Sequence, residues 1–200
     1  MNVAVMFPWR AKDERRAAYA VTRAWYEVHV PGAKIVEVDT GHEVFNLAAC
    51  RNAAIEIAKG LGVDVVVISD ADTLPPPGGL AAAIADADDH KLHIPFSQCI
   101  YAGTDSPPGL ANGGVHVVTP TGWDAIGGQD ERLVGWGGDD DQLVAAATCL
   151  SGLVRHPGLA VSLWHSDAAR VCAQPSRDLV NRYWQAVDKP AAMRKLIAER

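Results

Sequence analysis

The sequence predicts an α/β protein, a single domain with a mainly parallel central sheet and helices on both faces. Three observations carry this. Over the first half of the 200 residues, apolar runs of strand length alternate with stretches of helical spacing in β-α-β-α-β order, a pattern that implies parallel strands joined by right-handed crossovers. The run Val65, Val66, Val67, Ile68 is unbroken and β-branched, as a central strand covered by helices on both sides must be. It stops on Asp70 and Asp72, acids placed at the carboxyl edge, where open α/β sheets bind their ligands.

The chain opens with a short apolar strand, Asn2 to Met6, and leaves it through Phe7-Pro8-Trp9-Arg10. Ala17, Ala18, Val21, Ala24 and Trp25 mark a helix from Asp13 to Glu27. Arg10, Arg15 and Arg16 cluster between the two; solvated helix surface accounts for one or two of them, and a guanidinium fork at this edge also suits a diphosphate. Ala33 to Asp39 forms a second strand, and Asp39 either accepts from a base or ribose or caps the Thr40-Gly41 turn. Leu47 to Leu61 reads as a helix, with Ile55, Ile57, Ala58 and Leu61 apolar and Gly60 and Gly62 closing it. In the extended chain beyond the central strand, Asp70 and Asp72 project to one side. Two such carboxylates suit a hard divalent cation and, through it, a phosphate; a solvated turn is the plainer reading. Pro75, Pro76 and Pro77 are expected to forbid helix and stiffen the exit.

Further on, Gly79 to Asp88 predicts an alanine-rich helix and Leu92 to Phe96 a strand. Ser97 to Asn112 reads as a long loop near the active edge, a candidate lid. Gly113-Gly114 opens a strand over Val115 to Thr119, and Trp123 to Gly128 ends a short helix. In Gly135 to Asp141, G-W-G-G-D-D-D, three acids fall at the amino end of a helix continuing through Leu143, Val144, Ala147 and Leu150. One acid there caps and a second complements the dipole. Three repel one another unless something positive, or proton-accepting work, occupies the site. Ala160 to Trp164 is apolar and ends on His165, and Arg177 to Leu196 predicts one terminal helix. These elements fall into two halves (1–96 and 97–170) and a C-terminal helix (171–200).

A hydrophobic fraction of 48% is that of a globular chain, and a net charge of -6 offers no overall positive field for nucleic acid or an anionic membrane. The acidic balance weighs against a nucleic-acid partner, though a local basic patch would still serve one. Cys50, Cys99, Cys149 and Cys172 contain no C-x-x-C pair, which argues for reduced, mostly buried thiols. No apolar run approaches the roughly 20 residues of a membrane helix. A cytoplasmic location is expected.

Four ordered blocks resemble the GT-A glycosyltransferases that use nucleotide sugars, and most of all the β-1,4-galactosyltransferase family: F-P-W-R; F-N-L-A-A-C-R-N leading into V-V-V-I-S-D-A-D-T-L-P; N-G-G-V followed by G-W-G-G-D-D-D; and L-W-H-S-D. A lone D-x-D occurs by chance in many proteins, whereas the ordered set is specific. The resemblance implies a metal-dependent transferase, using Mn²⁺ or Mg²⁺, that moves a hexose or N-acetylhexosamine from a UDP-sugar to an acceptor hydroxyl. It makes 1–96 the nucleotide-binding half and 97–170 the acceptor and catalytic half, places Pro8, Arg10, Asp39 and Arg51 beside the donor nucleotide, and makes Asp72 the principal metal ligand, with Asp70 on the metal or the ribose and His165 completing the protein ligands. Trp136, Gly137, Gly138 and Gly114 would lie against sugar and acceptor. Asp140 would be the base of an inverting displacement, with Asp139 beside it where the family has glutamate, so the donor sugar does not carry over. No counterpart of the family's membrane anchor, or of its second cation-binding side chain near the histidine, is recognisable.

Other readings divide on particular residues. A haloacid-dehalogenase-type phosphohydrolase wants threonine two places beyond the second aspartate, but Thr73 follows Asp72 directly. A nucleotidyltransferase would favour a glycine-rich loop after the first strand, which F-P-W-R-A-K is not. A non-catalytic sugar-nucleotide-binding protein has no need of a base beside a metal. Retaining transfer on the same fold is the main alternative mechanism, separable by the anomer of the product.

Overall fold

The computed structural model describes residues 1–135, 137–163 and 174–200. Its elements are β1 (Val3–Pro8), α1 (Asp13–His29), β2 (Lys34–Val38), α2 (Leu47–Leu61), β3 (Val65–Ser69), β4 (Thr73–Leu74), α3 (Pro77–Ala85), β5 (Leu92–Ile94), β6 (Gln98–Tyr101), β7 (Val115–Val118), α4 (Pro120–Ile126), α5 (Asp139–Leu150), β8 (Leu153–Arg155), β9 (Leu159–Ser162), α6 (Gln174–Gln185) and α7 (Pro190–Ala198). A six-stranded sheet runs in the order β2-β1-β3-β7-β5-β8, and a three-stranded sheet in the order β4-β9-β6.

The first five elements follow the expected alternation for a physical reason. β1 pairs in parallel with β2 on one side and β3 on the other, so the two crossovers travel in opposite directions across the sheet. Right-handed connections therefore put α1 and α2 on opposite faces. Along β1, Ala4 and Met6 join the core beneath α2 with Ile55 and Ala58, while Val5 and Phe7 join the core beneath α1 with Tyr19 and Tyr26. β3 splits in the same way, Val66 and Ile68 to one side and Val65 and Val67 to the other, so both its faces had to be apolar.

Beyond β3 the sheet is mixed. β7 runs antiparallel to both β3 and β5, while β8 is parallel to β5. The amino end of β7, with Gly113 and Gly114 before it, therefore lies at the same edge as the carboxyl ends of β1, β2, β3 and β8. That edge carries the site.

Several local expectations need correction. The triple proline does not exclude helix: Pro77 is the first residue of α3 with Pro76 as its cap, a position where the missing N–H costs nothing. Asp70 and Asp72 do not stand on extended chain, because β3 ends at Ser69 and 71–72 form a turn. The stretch from Ser97 to Asn112 is not all loop: β6 lies within it, paired in parallel with β9. The terminal helix is two helices, α6 and α7, the second started by Pro190. Cys50 and Cys99 are buried free thiols, and Cys149 is a half-buried one; Cys172 lies outside the described residues. No described helix is long and apolar enough to cross a membrane.

Candidate active site

Arg51 is the centre of the site. It rises from α2, whose start is fixed by the Asn46 side chain accepting from the Ala49 N–H at 2.9 Å. Only 1% of its side chain is exposed, and its guanidinium reaches three carboxylates. Nη2 donates to Asp70 at 2.8 Å, and Nη1 donates to Asp139 at 3.0 Å and to Asp140 at 2.6 Å. Asp139 and Asp140 come from the first turn of α5, entered through Gly135, Gly137 and Gly138, all at positive φ. A Cβ on Gly138 would stand 2.7 Å from the Val180 side chain, so glycine is required there by contact as well as by backbone.

Glycine is also required opposite. A Cβ on Gly113 would lie 2.0 Å from Asp140 Oδ2, so the absence of a side chain is what admits this carboxylate. Gly114, at φ +100, accepts the Asp70 N–H at 2.7 Å and fixes the turn after β3. Within it Thr73 donates to Asp72 Oδ1 at 3.2 Å, and the Asp72 carbonyl accepts the Leu163 N–H at 2.7 Å.

The three carboxylates on Arg51 are not electrostatically alike. Burial pushes the Asp139 carboxyl up, the Asp140 charge adds to this, and Arg51 opposes it. Burial likewise pushes Asp70 up against Arg51, with Asp140 and Asp72 reinforcing the rise. Asp140 is the exception: burial works against its ionised form, but Arg51 and His116 outweigh it and hold the carboxyl below its ordinary value. Its side chain keeps 26% exposure, against 8% for Asp139. Asp70 is 30% exposed, so two of the three are reachable, and of these Asp140 is the one held below its ordinary value.

His116, on β7, lies beneath it, with Nε2 3.9 Å from Asp140. A carbonyl can only accept, so the 2.8 Å contact of Nε2 with the Asn112 carbonyl puts the proton on Nε2 and leaves Nδ1 a buried acceptor without a partner. Burial, only partly offset by Asp140, brings its pKa down to about 4, so the ring is neutral. Asn112 donates to Asp141 at 2.6 Å.

A second pair stands at the ends of β1 and β2. Arg10 grips Asp39 through two contacts of 2.7 Å and stacks over Phe45 at 5.4 Å. Asp39 also accepts the Gly41 N–H at 2.9 Å, and its carboxyl is held down to about 2, chiefly by Arg10. It caps the turn and pairs with arginine at once. Pro8, at the end of β1, pairs with Val38. Arg16 is exposed and, among the described residues, bonds only Asp13 on its own helix, the solvated-surface role.

The structure thus brings Asp70, Asp139, Asp140 and Arg51 together, with Gly113, Gly114 and Asp72 around them, and sets Pro8, Arg10 and Asp39 along the same edge. Trp136 and His165 lie outside the described residues. Sequence reading missed His116, Asn112 and Arg155. The first carried a signal, a histidine at an inward position of the apolar strand V-H-V-V. A cavity of about 490 Å³ opens elsewhere, between α2, α4 and the turns at Thr40, His42, Gly127 and Gly128. None of the site's carboxylates lines it.

No group of three or more potential metal ligands gathers among the described residues. Asp70 and Asp72 offer hard oxygen donors on one turn, and that donor chemistry fits a divalent cation such as Mn²⁺ or Mg²⁺.

No family model matches the chain, and no curated protein is detectably similar to it. Among solved structures it is similar to the catalytic domain of Drosophila β1,4-galactosyltransferase 7 complexed with xylobiose (TM-score 0.56, 18% identity, 77% of this chain and 64% of that one). The D211N mutant of the same enzyme, complexed with manganese, UDP-Gal and xylobiose, gives a TM-score of 0.54 at 18% identity, again over 77% of this chain and 64% of that one. GalNAc-T7 with UDP, GalNAc and Mn²⁺ gives 0.58 at 12% identity, over 98% of this chain and 47% of that one. The chain thus spans less than two thirds of the length of these neighbours, and its fold is that of the GT-A glycosyltransferases.

Proposed function

We propose that the chain is a metal-dependent glycosyltransferase that moves a hexose or N-acetylhexosamine from a UDP-sugar to an acceptor hydroxyl, with inversion and with Asp140 as base. The observation that carries this is the asymmetry on Arg51: of three carboxylates sharing one guanidinium, Asp70 and Asp140 are open to solvent, and of these two Asp140 alone is held below its ordinary value. The complexes of the structural neighbours with UDP or UDP-Gal and manganese support the donor and the metal.

Arg10 would bind the donor diphosphate or nucleotide once released from Asp39, with Pro8 beside it. Asp72, Asp70 and His165 would hold the cation, which would supply Lewis-acid neutralisation of charge on the departing diphosphate. Gly114, Gly137 and Gly138 would lie against sugar and acceptor, with Trp136 as the expected apolar face. Asp140 takes the proton from the acceptor hydroxyl as its oxygen attacks the anomeric carbon opposite the diphosphate, giving inversion. His116 is neutral and keeps its proton on Nε2, so it leaves Asp140 free to act as base.

The test is thermal stability with UDP, with and without Mn²⁺, followed by UDP-sugar turnover. Metal-dependent stabilisation by UDP that disappears in Asp72→Ala is expected. Asp140→Asn should keep that stabilisation and lose about a hundredfold to ten-thousandfold in turnover. Full turnover in a folded Asp140→Asn protein would refute the assignment.

A further inference from the structure

Charge is distributed unevenly around Asp140. On one side, three acids share Arg51. On the other, across Asn112 and Gly113, stands an arginine with no acid of its own. Arg155 ends β8, at the carboxyl edge because β8 runs parallel to β5. Its Nη1 donates to the Ala111 carbonyl at 2.7 Å and its Nη2 to the Asn112 side-chain oxygen, both neutral acceptors. No described carboxylate lies within ion-pair distance of it, and burial alone acts on its pKa, lowering it. A half-buried guanidinium gives up solvation that neutral oxygens only partly replace, so an anion at its free N–H groups would be stabilised.

Its place relative to the base is fixed through one short segment. Asn112, which Arg155 grips, donates in turn to Asp141, the neighbour of Asp140. The next residue, Gly113, is the one whose Cβ would strike the Asp140 carboxylate. The unmatched cation and the proton acceptor thus flank the same two residues.

We propose that the acceptor carries an anionic oxygen group, a carboxylate or a phosphate, and that Arg155 receives this group while Asp140 takes the proton from the hydroxyl. The inference rests on the transferase reading above. An anionic acceptor approaching Asp139, Asp140 and Asp141 would be repelled unless a cation stood on its own side, and Arg155 is that cation. A guanidinium suits the task better than an ammonium because its fork meets two oxygens of one group.

The test uses the full chain loaded with Mn²⁺ and UDP and measures binding of glucuronate, glycerol phosphate and inorganic phosphate against glucose and glycerol, by calorimetry or ligand-observed NMR. Wild type should bind an anionic probe more tightly than its neutral counterpart. Arg155→Gln should weaken that probe by about tenfold to a hundredfold, the loss of a charged hydrogen-bond pair; Arg155→Lys should fall between; neutral probes should be unaffected. Preference for glucuronate would assign a carboxylate, and preference for the phosphates a phosphate. Equal binding of charged and neutral probes by wild type, or no binding of either, overturns the proposal. So does Arg155→Gln weakening both kinds alike, which would make the arginine only a brace for the loop. If Mn²⁺ and UDP fail to stabilise the wild-type protein, the transferase reading falls and this one with it; if they stabilise it and the anion preference is absent, this inference alone fails.

Discussion

At the end of β1, Arg10 meets Asp39 in the open, the two side chains retaining 28% and 33% exposure; in α2, Arg51 meets three aspartates with 1% of its own side chain exposed. Both clusters serve one edge of one sheet, yet their physics is opposite. The exposed pair is screened by water and exchanges partners at little cost. The buried hub exchanges less readily, because releasing a carboxylate would leave a buried N–H of Arg51 unpaired. The first pair can give way, and the second holds Asp140 in position.

The largest effect that would break this contrast is expected from Arg51→Met. Leaving the carboxylates without their cation should destabilise the fold by about 3–5 kcal/mol, read from the denaturant midpoint. A midpoint unchanged from wild type would show that the hub is not what holds α2 to α5. Next comes Gly113→Ala, where the added methyl must displace the carboxylate of Asp140. Turnover should fall with UDP-dependent stabilisation retained, and unimpaired turnover would mean that Asp140 need not stay where it is.

A smaller effect is expected from Arg10→Ala: weaker UDP affinity with the unfolding midpoint little changed. A large midpoint shift would make the pair structural and erase the distinction.

The smallest effects are in pH dependence, and they have opposite signs. Asp139 has its carboxyl pushed up to about 7, so between the ordinary value near 4 and that value the folded protein holds a proton the unfolded chain has lost. Its contribution is therefore lost as pH rises through the window, and Asp139→Asn should flatten that slope. Asp39 is held down to about 2, so its contribution is present above about 4 and is lost as pH falls towards 2. Midpoints measured from pH 3 to 8 in Asp39→Asn and Asp139→Asn would separate the two.

Sequence reading succeeded where a signal was local. α2 runs from Leu47 to Leu61 as expected, because Asn46 caps one end and Gly62, at φ +61, closes the other. β3 was legible because burial on both faces forces an unbroken β-branched run. The second sheet was not legible: β6 is four residues long and owes its register to β9, some 60 residues away (Gln98↔Leu159). Arg51 was placed beside the donor, but its role as hub depends on burial and on partners 19, 88 and 89 residues along the chain, which no local pattern carries. Asn112 and Arg155 meet 43 residues apart and are invisible for the same reason.

That spacing along the chain bears on how the protein is made. A ribosome delivers β1 to β3, with Arg51 among them, before the segment holding Asp139 and Asp140 exists, so the emerging half has a cation bound for its interior and two of its three counterions still unsynthesised. Closing α2 onto the sheet in that interval would bury Arg51 against Asp70 alone, with Nη1 still lacking the two carboxylates it donates to. The guanidinium is therefore fully satisfied only when α5 arrives. Asp140 reaches its place in the same step that satisfies Arg51, so a chain that has finished folding already carries the cluster assembled.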